Sequence, residues 1–280
     1  QKAEGVDDHT KRKARFYVEQ IANAVSPSNF ALTNPEVLRA TLASNGANLI
    51  EGLKHLEEDM QTPDGRLRIK QTDMTAFEIG RNIAMTPGKV VFRCETFELI
   101  QYSPTQAETH EIPLVIFPPW INKFYILDLN AKKSFVRWAV DQGLTVFIVS
   151  WRNVKPPLDK LTWDDYVEMG VIAALDEAKA ITGADKVNAL GFCIGGTLLS
   201  CALAVLAKKK KKPVASLTLM TALLEFSDVG EIRVYIDKNF VEKREKTLEK
   251  GGIVPGSELA TAFSSLRAND LIWPYVVNNY

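Results

Sequence analysis

The chain of 280 residues carries 34 basic and 34 acidic side chains, a formal net charge of zero, so it has no electrostatic drive toward nucleic acid or an acidic membrane surface. Hydrophobic residues make up 46% of it, enough for a buried core, yet no run reaches the roughly 18 apolar residues of a membrane span and no signal-peptide pattern is present. Cys94, Cys193 and Cys201 form neither a disulfide framework nor a metal-ligand spacing, and suit a reducing compartment with one reactive thiol.

Residues 11–24 and 35–59 read as helices, with Phe16, Ile21 and Val25 on one apolar stripe and Leu49, Leu53 and Leu56 on another. Ser26-Pro27-Ser28-Asn29 and Thr33-Asn34-Pro35 break them. This helical layer offers no evident chemistry, which leaves packing, dimer contact or partner binding. His9 and His55 read as surface or capping residues. Thr62-Pro63-Asp64-Gly65 signals a turn inside a linker, and a first region is expected over residues 1–73.

A second region is expected over residues 74–224. It opens with two strands of a hairpin or meander, 90–95 and 97–102, in which Cys94 reads as a structural or solvent-facing thiol. From Ile112 strands and helices alternate: a buried strand over 114–117 stopped by Pro118-Pro119, then a helix over 134–142 with Phe135, Trp138 and Ala139 inward and Gly143 as its stop. A strand over 145–149 is followed by a helix over 162–181, opened by the capping pattern Thr162-x-x-Asp165 and closed by Gly183. A strand over 186–190, a helix over 197–207 and a strand over 216–220 complete the series. This alternation implies a mostly parallel sheet covered on both faces, with its site at the carboxyl ends of the strands. Residues 118–122, 150–153, Cys193 and 221–224 fall on that edge. The five-lysine run Lys208 to Lys212 reads as a solvated loop that complements the end of a helix.

A third region, 225–280, is charged and helix-like at first, with Phe226, Ile232, Tyr235, Ile236 and Phe240 as apolar anchors, and is broken by Gly251-Gly252 and Pro255-Gly256. Its place after the alternating elements is that of a cap or lid.

The informative stretch is Gly191-Phe192-Cys193-Ile194-Gly195-Gly196, between a strand and a helix. A sharp strand–turn–helix holds a nucleophile in a strained backbone conformation, and flanking glycines let strand and helix approach. The helix N-terminus favours a thiolate at Cys193, and the Ile194 amide lies where an oxyanion would form. The bland alternative is a buried cysteine at a strand–helix turn.

Several further stretches match a known family in order and spacing. Residues 118–129 (Pro118-Pro119-Trp120-Ile121-Asn122-Lys123 and onward), Ser134-Phe135-Val136-Arg137-Trp138, Ser150-Trp151-Arg152-Asn153, the Cys193 box and Arg267-Ala268-Asn269-Asp270-Leu271-Ile272-Trp273 resemble polyhydroxyalkanoate synthases. The helical front end and Thr86-Pro87-Gly88-Lys89-Val90-Val91 resemble the class I branch. The resemblance implies an α/β-hydrolase-like, mostly parallel sheet with flanking helices, preceded by a small helical N-terminal region. It also implies an acyltransferase that polymerises (R)-3-hydroxyacyl-CoA, typically 3-hydroxybutyryl-CoA, with release of CoA. In that family the box cysteine, here Cys193, carries the growing chain as a thioester. The Ile194 N–H, with a donor from the Ile121–Asn122 stretch, would hold the oxyanion; an Asx turn is the other reading of Asn122. Arg267 would meet CoA, or else form a structural ion pair. No cofactor and no metal are implied, the CoA thioester being the substrate. The implied partners are the growing polyester, the granule surface and a second copy of the chain, in the cytoplasm.

The family's triad also needs an acid and a general-base histidine after the nucleophile. His9, His55 and His110 all precede Cys193, and His110 sits in a polar turn, Glu108-Thr109-His110-Glu111. The expectation is therefore a partial sequence, lacking the C-terminal part of the fold with the acid and base beyond Tyr280, and inactive alone. Two other classes stay open: a thioesterase or depolymerase on the same fold, and a non-catalytic granule-binding or oligomerisation module.

Overall fold

The computed structural model describes residues 5–62, 65, 67–249 and 251–280; Pro63 and Asp64 of the expected turn, and Lys250, lie outside them. The described residues divide into two units, one over Thr75–Ser227, the other joining the residues up to Met74 to Asp228–Tyr280. The sequence reading separates 1–73 from 225–280, whereas Asp228–Tyr280 share a unit with the residues up to Met74, and Glu225–Ser227 stay with the sheet.

In that helical unit, α1 (Asp8–Ala24) is capped by the Asp7 carboxylate, which accepts the Thr10 N–H at 3.0 Å. Phe16 is its buried residue and meets Tyr235 edge-on at 5.6 Å, while Lys13 reaches Asp237 at 2.6 Å. Ile21 and Val25, expected on the buried stripe, are exposed. The helix expected over 35–59 is two, α2 (Pro35–Ala43) and α3 (Ala47–Met60). The chain turns between them through left-handed Asn45 (φ 51°) and Gly46 (φ 83°). Leu53 is exposed. The Asp59 carboxylate accepts from the Lys70 amide at 3.0 Å and the Tyr280 hydroxyl at 2.6 Å. A 3-10 turn (Gly230–Tyr235) and helices Lys238–Leu248, Gly256–Leu266, Ala268–Leu271 and Trp273–Asn279 complete the unit. Ile236 and Phe240, read as anchors, are exposed, and Val234 is buried instead.

The second unit holds a six-stranded sheet and a two-stranded ribbon. Its strands are β1 (Gly88–Arg93), β2 (Phe97–Tyr102), β3 (Leu114–Phe117), the ribbon β4 (Asp128–Asn130) and β5 (Lys133–Ser134), β6 (Val146–Trp151), β7 (Val187–Phe192) and β8 (Val214–Met220). The order is β1-β2-β6-β3-β7-β8. β6, β3, β7 and β8 are parallel, and β1 and β2 form the expected antiparallel hairpin beside β6. The ribbon was not read from the sequence; in it Asp128, buried, accepts from the hydroxyls of Thr86 and Ser134, both at 2.7 Å.

Alternation along the strands divides the core in two. Val115, Phe117, Phe147 and Val149 face the helices α6 (Ala173–Thr182) and α7 (Ile194–Lys208), through Leu175, Ala178, Leu198 and Leu199. Leu114, Ile116 and Ile148 face α4 (Phe135–Asp141), through Val136, Ala139 and Val140. Trp138, expected inward, is 55% exposed, because the i, i+3, i+4 stripe of 136, 139 and 140 leaves it on the opposite side. Gly143 stops this helix region at φ 80°, and Gly183 caps α6 at φ 71°. The helix expected over 162–181 opens as α5 (Trp163–Asp165) with the Thr162–Asp165 capping box, but its Tyr166–Ile172 turn is π-helical.

The two edges of the sheet differ. β1 carries Lys89 and Arg93 and shifts register between Val90 and Phe92. β8 bears no charge, and Leu217 on it is 44% exposed.

Candidate active site

β7 ends at Phe192 and α7 begins at Ile194, so one residue, Cys193, makes the whole turn. Its backbone takes φ 54° and ψ −129°, a conformation that costs a residue with a side chain of order 1–3 kcal/mol and persists only where its surroundings enforce it. The enforcement is visible. The Cys193 N–H donates to Met220 O at the end of β8 at 2.9 Å, and the Cys193 carbonyl accepts the Gly196 N–H at 2.9 Å, opening the helix. Thr197, in the first turn, donates its hydroxyl to Leu223 O at 2.7 Å and holds the chain leaving β8.

The glycines of the box are required by close approach. A Cβ on Gly191 would run into the backbone of Gly196, and one on Gly195 into the carbonyls of Phe117 and Pro118. On Gly196 it would lie 2.6 Å from Ala222 Cβ. The end of β3 therefore lies against the first turn of α7, whose leading amides, Ile194 first among them, have no carbonyl within the helix to bind. Those amides and the aligned peptide dipoles make this a place where a developing negative charge is stabilised. The Cys193 amide, engaged by Met220, is not one of the available donors.

The loop after β3 is anchored at several points. Pro118 O accepts the Trp151 indole N–H at 2.8 Å, and Lys123 Nζ donates to Asn153 Oδ1 at 2.8 Å. Trp120 packs against Trp151, Trp163 and Tyr166 with ring centroids 6.1, 5.8 and 5.8 Å away. Burial raises the Tyr166 phenol, and the Thr162 N–H and hydroxyl hold the Asp165 carboxyl below its usual range.

Of the residues singled out in the sequence, Cys193 and Ile194 stand at the carboxyl edge of the sheet, and the loop bearing Ile121 and Asn122 leaves that same edge at β3. Ile121 and Asn122 are exposed. Arg267 lies in the helical unit and is paired with Asp270 at 2.6 Å, its side chain 73% exposed. His110 precedes β3 and donates its amide to Gly143 O at 2.8 Å, which puts it at the amino edge, across the sheet from Cys193. His9 and His55 belong to the helical unit. Sequence reasoning did not assign parts to Trp151, Thr197 or Met220; their roles depend on strand order. A signal for Trp151 was present in Gly170, a glycine inside a helical pattern, where a Cβ would come within 2.9 Å of the indole.

Two family models match the chain: one described as "Poly-beta-hydroxybutyrate polymerase (PhaC) N-terminus" over residues 1–139, the other as "alpha/beta hydrolase fold" over residues 113–275. Among curated proteins, the chain is 47% identical over 277 residues to a "Poly(3-hydroxyalkanoate) polymerase subunit PhaC" of Rhizobium etli, covering 99% of this chain and 44% of that one. It is 49% identical over 279 residues to the protein of the same name from Cupriavidus necator, covering 98% and 47%. To "Poly(3-hydroxyalkanoate) polymerase 2" of Ectopseudomonas oleovorans it is 38% identical over 276 residues, covering 98% and 49%. The chain thus spans a little under half the length of the curated relatives it matches.

Proposed function

The chain belongs to the alpha/beta hydrolase fold family, and from that premise we propose that it carries the nucleophile of an acyltransferase that polymerises (R)-3-hydroxyacyl-CoA into a polyester. The observation that carries this reading is the backbone of Cys193, strained at φ 54° and ψ −129° between β7 and α7. Its likeness to the poly(3-hydroxyalkanoate) polymerases supports the choice of substrate.

In the proposed reaction the Cys193 thiolate attacks the thioester carbonyl of the substrate. A C–S bond to the enzyme forms, the C–S bond to CoA breaks, and CoA leaves as its thiolate. The intermediate oxyanion is held by the Ile194 N–H with a donor from the loop bearing Ile121 and Asn122. Thioester-for-thioester exchange is nearly balanced, and sulfur is the better nucleophile near neutral pH. The hydroxyl of the next unit then attacks the enzyme thioester: an ester C–O bond forms, the C–S bond to Cys193 breaks, and the hydroxyl proton goes to the departing Cys193 sulfur. No cofactor enters; coenzyme A arrives as part of the substrate. His110, at the opposite edge of the sheet, is not the proton acceptor.

Exposed apolar residues of the helical unit, including Ile21, Leu32 and Leu42, support adsorption to an apolar granule surface or to a second copy of the chain. The free cysteines support a reducing, cytoplasmic setting. No helix among the described residues is long and apolar enough to cross a membrane.

The test is intact-protein mass spectrometry after exposure to (R)-3-hydroxybutyryl-CoA, which reads a single stoichiometric acylation and needs none of the turnover the chain alone is expected to lack. A hydroxybutyryl adduct mapped to Cys193, with CoA released, is the expected result, and Cys193→Ala should form none. Release of free hydroxy acid with no polymer would instead mark a thioesterase, and granule binding with no adduct a non-catalytic module.

A further inference from the structure

The loop after β3 begins with Pro118-Pro119, two residues without an N–H. Neither can donate to a neighbouring strand, so only carbonyls are left to fix the path of the backbone there. Pro118 O is placed against the first turn of α7, where a Cβ on Gly195 would lie 2.8 Å from it. The helix's leading amides seek acceptors, and this carbonyl lies against Gly195 in that first turn. What holds it is the Trp151 indole N–H at 2.8 Å.

Trp151 is itself fixed on several sides. It ends β6, whose residues 146–149 are buried, and it packs edge-on to Phe97 at 6.1 Å and Tyr166 at 5.9 Å. Its ring edge rests on Gly170, where a Cβ would come within 2.9 Å. Gly170 belongs to the π-helical turn Tyr166–Ile172, whose Met169 carbonyl accepts the Thr96 hydroxyl at 3.0 Å. The indole also touches the loop a second time, through Trp120 at 6.1 Å.

We propose that Trp151 is a positioning residue for acyl transfer: its indole N–H keeps the Pro118 carbonyl off the leading amides of α7 and holds the following residues, Trp120 to Asn122, where they can donate to the oxyanion. Gly170 is the seat that lets the indole reach. The proposal rests on the reading of Cys193 as the nucleophile. A shift of about 1 Å in such a loop is enough to cost on the order of a hundredfold in rate, and loss of one oxyanion donor costs about the same or more.

The test compares two reactions of Cys193 in the full chain: acylation by (R)-3-hydroxybutyryl-CoA, which develops an oxyanion, and alkylation by iodoacetamide, which does not. Trp151→Phe keeps an aromatic ring and removes the N–H. Its acylation rate should fall about 10–100-fold, with KM and alkylation rate unchanged and only a small drop in thermal midpoint. Gly170→Ala, which keeps the N–H but displaces the ring, should show the same pattern and add no further loss in the Trp151→Phe background. If Trp151→Phe does not fold, Gly170→Ala carries the expectation alone. Wild-type acylation rates in the variants, or a parallel fall in alkylation, would overturn the role of Trp151. Absence of acylation in the wild-type chain would instead overturn the nucleophile, and Trp151's role with it.

Discussion

Cys193 donates its amide to Met220 O at 2.9 Å, so the nucleophile turn is tied to the strand beside it as well as to its own helix. The bond lies one step beyond the last register pair of β7 and β8, Phe192 with Met220. It carries the pairing of the two strands up to the reacting sulfur's own residue, and Thr197 repeats the tie one turn into the helix.

Removing the second tie should loosen the first. Thr197→Val is close to isosteric but leaves Leu223 O without the hydroxyl that now reaches it at 2.7 Å. We expect a loss of about 1 kcal/mol in urea unfolding, together with faster hydrogen exchange at the Cys193 amide and no change at the β3 amides.

Two glycine substitutions should separate crowding from backbone strain. Gly183→Ala introduces a Cβ at φ 71° with nothing within 4 Å, and should cost about 1 kcal/mol. Gly195→Ala places a Cβ against the Phe117 and Pro118 carbonyls, and should cost about 3 kcal/mol with loss of Cys193 acylation. Equal thermal midpoints for the two variants would contradict the close approach of β3 and α7.

The helical unit should show an acid-sensitive tie. The Lys13 ammonium, followed by the Phe240 amide, holds the Asp237 carboxyl below its ordinary value of 3.8. A group with a depressed folded pKa stabilises fully above its unfolded value, and the contribution is lost as pH falls through the folded one. The stability difference between wild type and Asp237→Asn should therefore favour wild type at pH 7, shrink as the pH drops below 3.8, and be reduced by salt. A difference that is flat with pH in urea titrations would rule the charge out.

The site was legible where chemistry and local geometry coincide. A cysteine with glycines two residues to either side, between an apolar strand and an apolar helix, can hardly be placed except at a cramped turn. Gly143, Thr162 and Gly183 announce helix ends through their own side chains or their lack of one. What the sequence did not yield depends on partners far along the chain. The pairing of Lys13 with Asp237 and of Phe16 with Tyr235 has no local sign, so the two terminal regions looked separate. Inside 35–59 the helical stripe hid a turn at Asn45-Gly46, since a glycine in an amphipathic pattern is tolerated more often than it breaks one. The π-helical turn keeps the apolar character of its neighbours and was read as ordinary helix. Trp138 is expected inward, but the smaller Val136 and Val140 own the buried stripe.

The outer strands of the sheet also differ in how they meet the world. β1 presents lysine, arginine and a slipped register, devices that repel an uninvited neighbour. β8 presents Val-Ala-Ser-Leu-Thr-Leu-Met without a charge, paired among the described residues with β7 alone. A rim of that composition welcomes a further strand laid alongside it. Leu217→Lys would repel such a neighbour from the same strand whose Met220 carbonyl steadies the nucleophile turn.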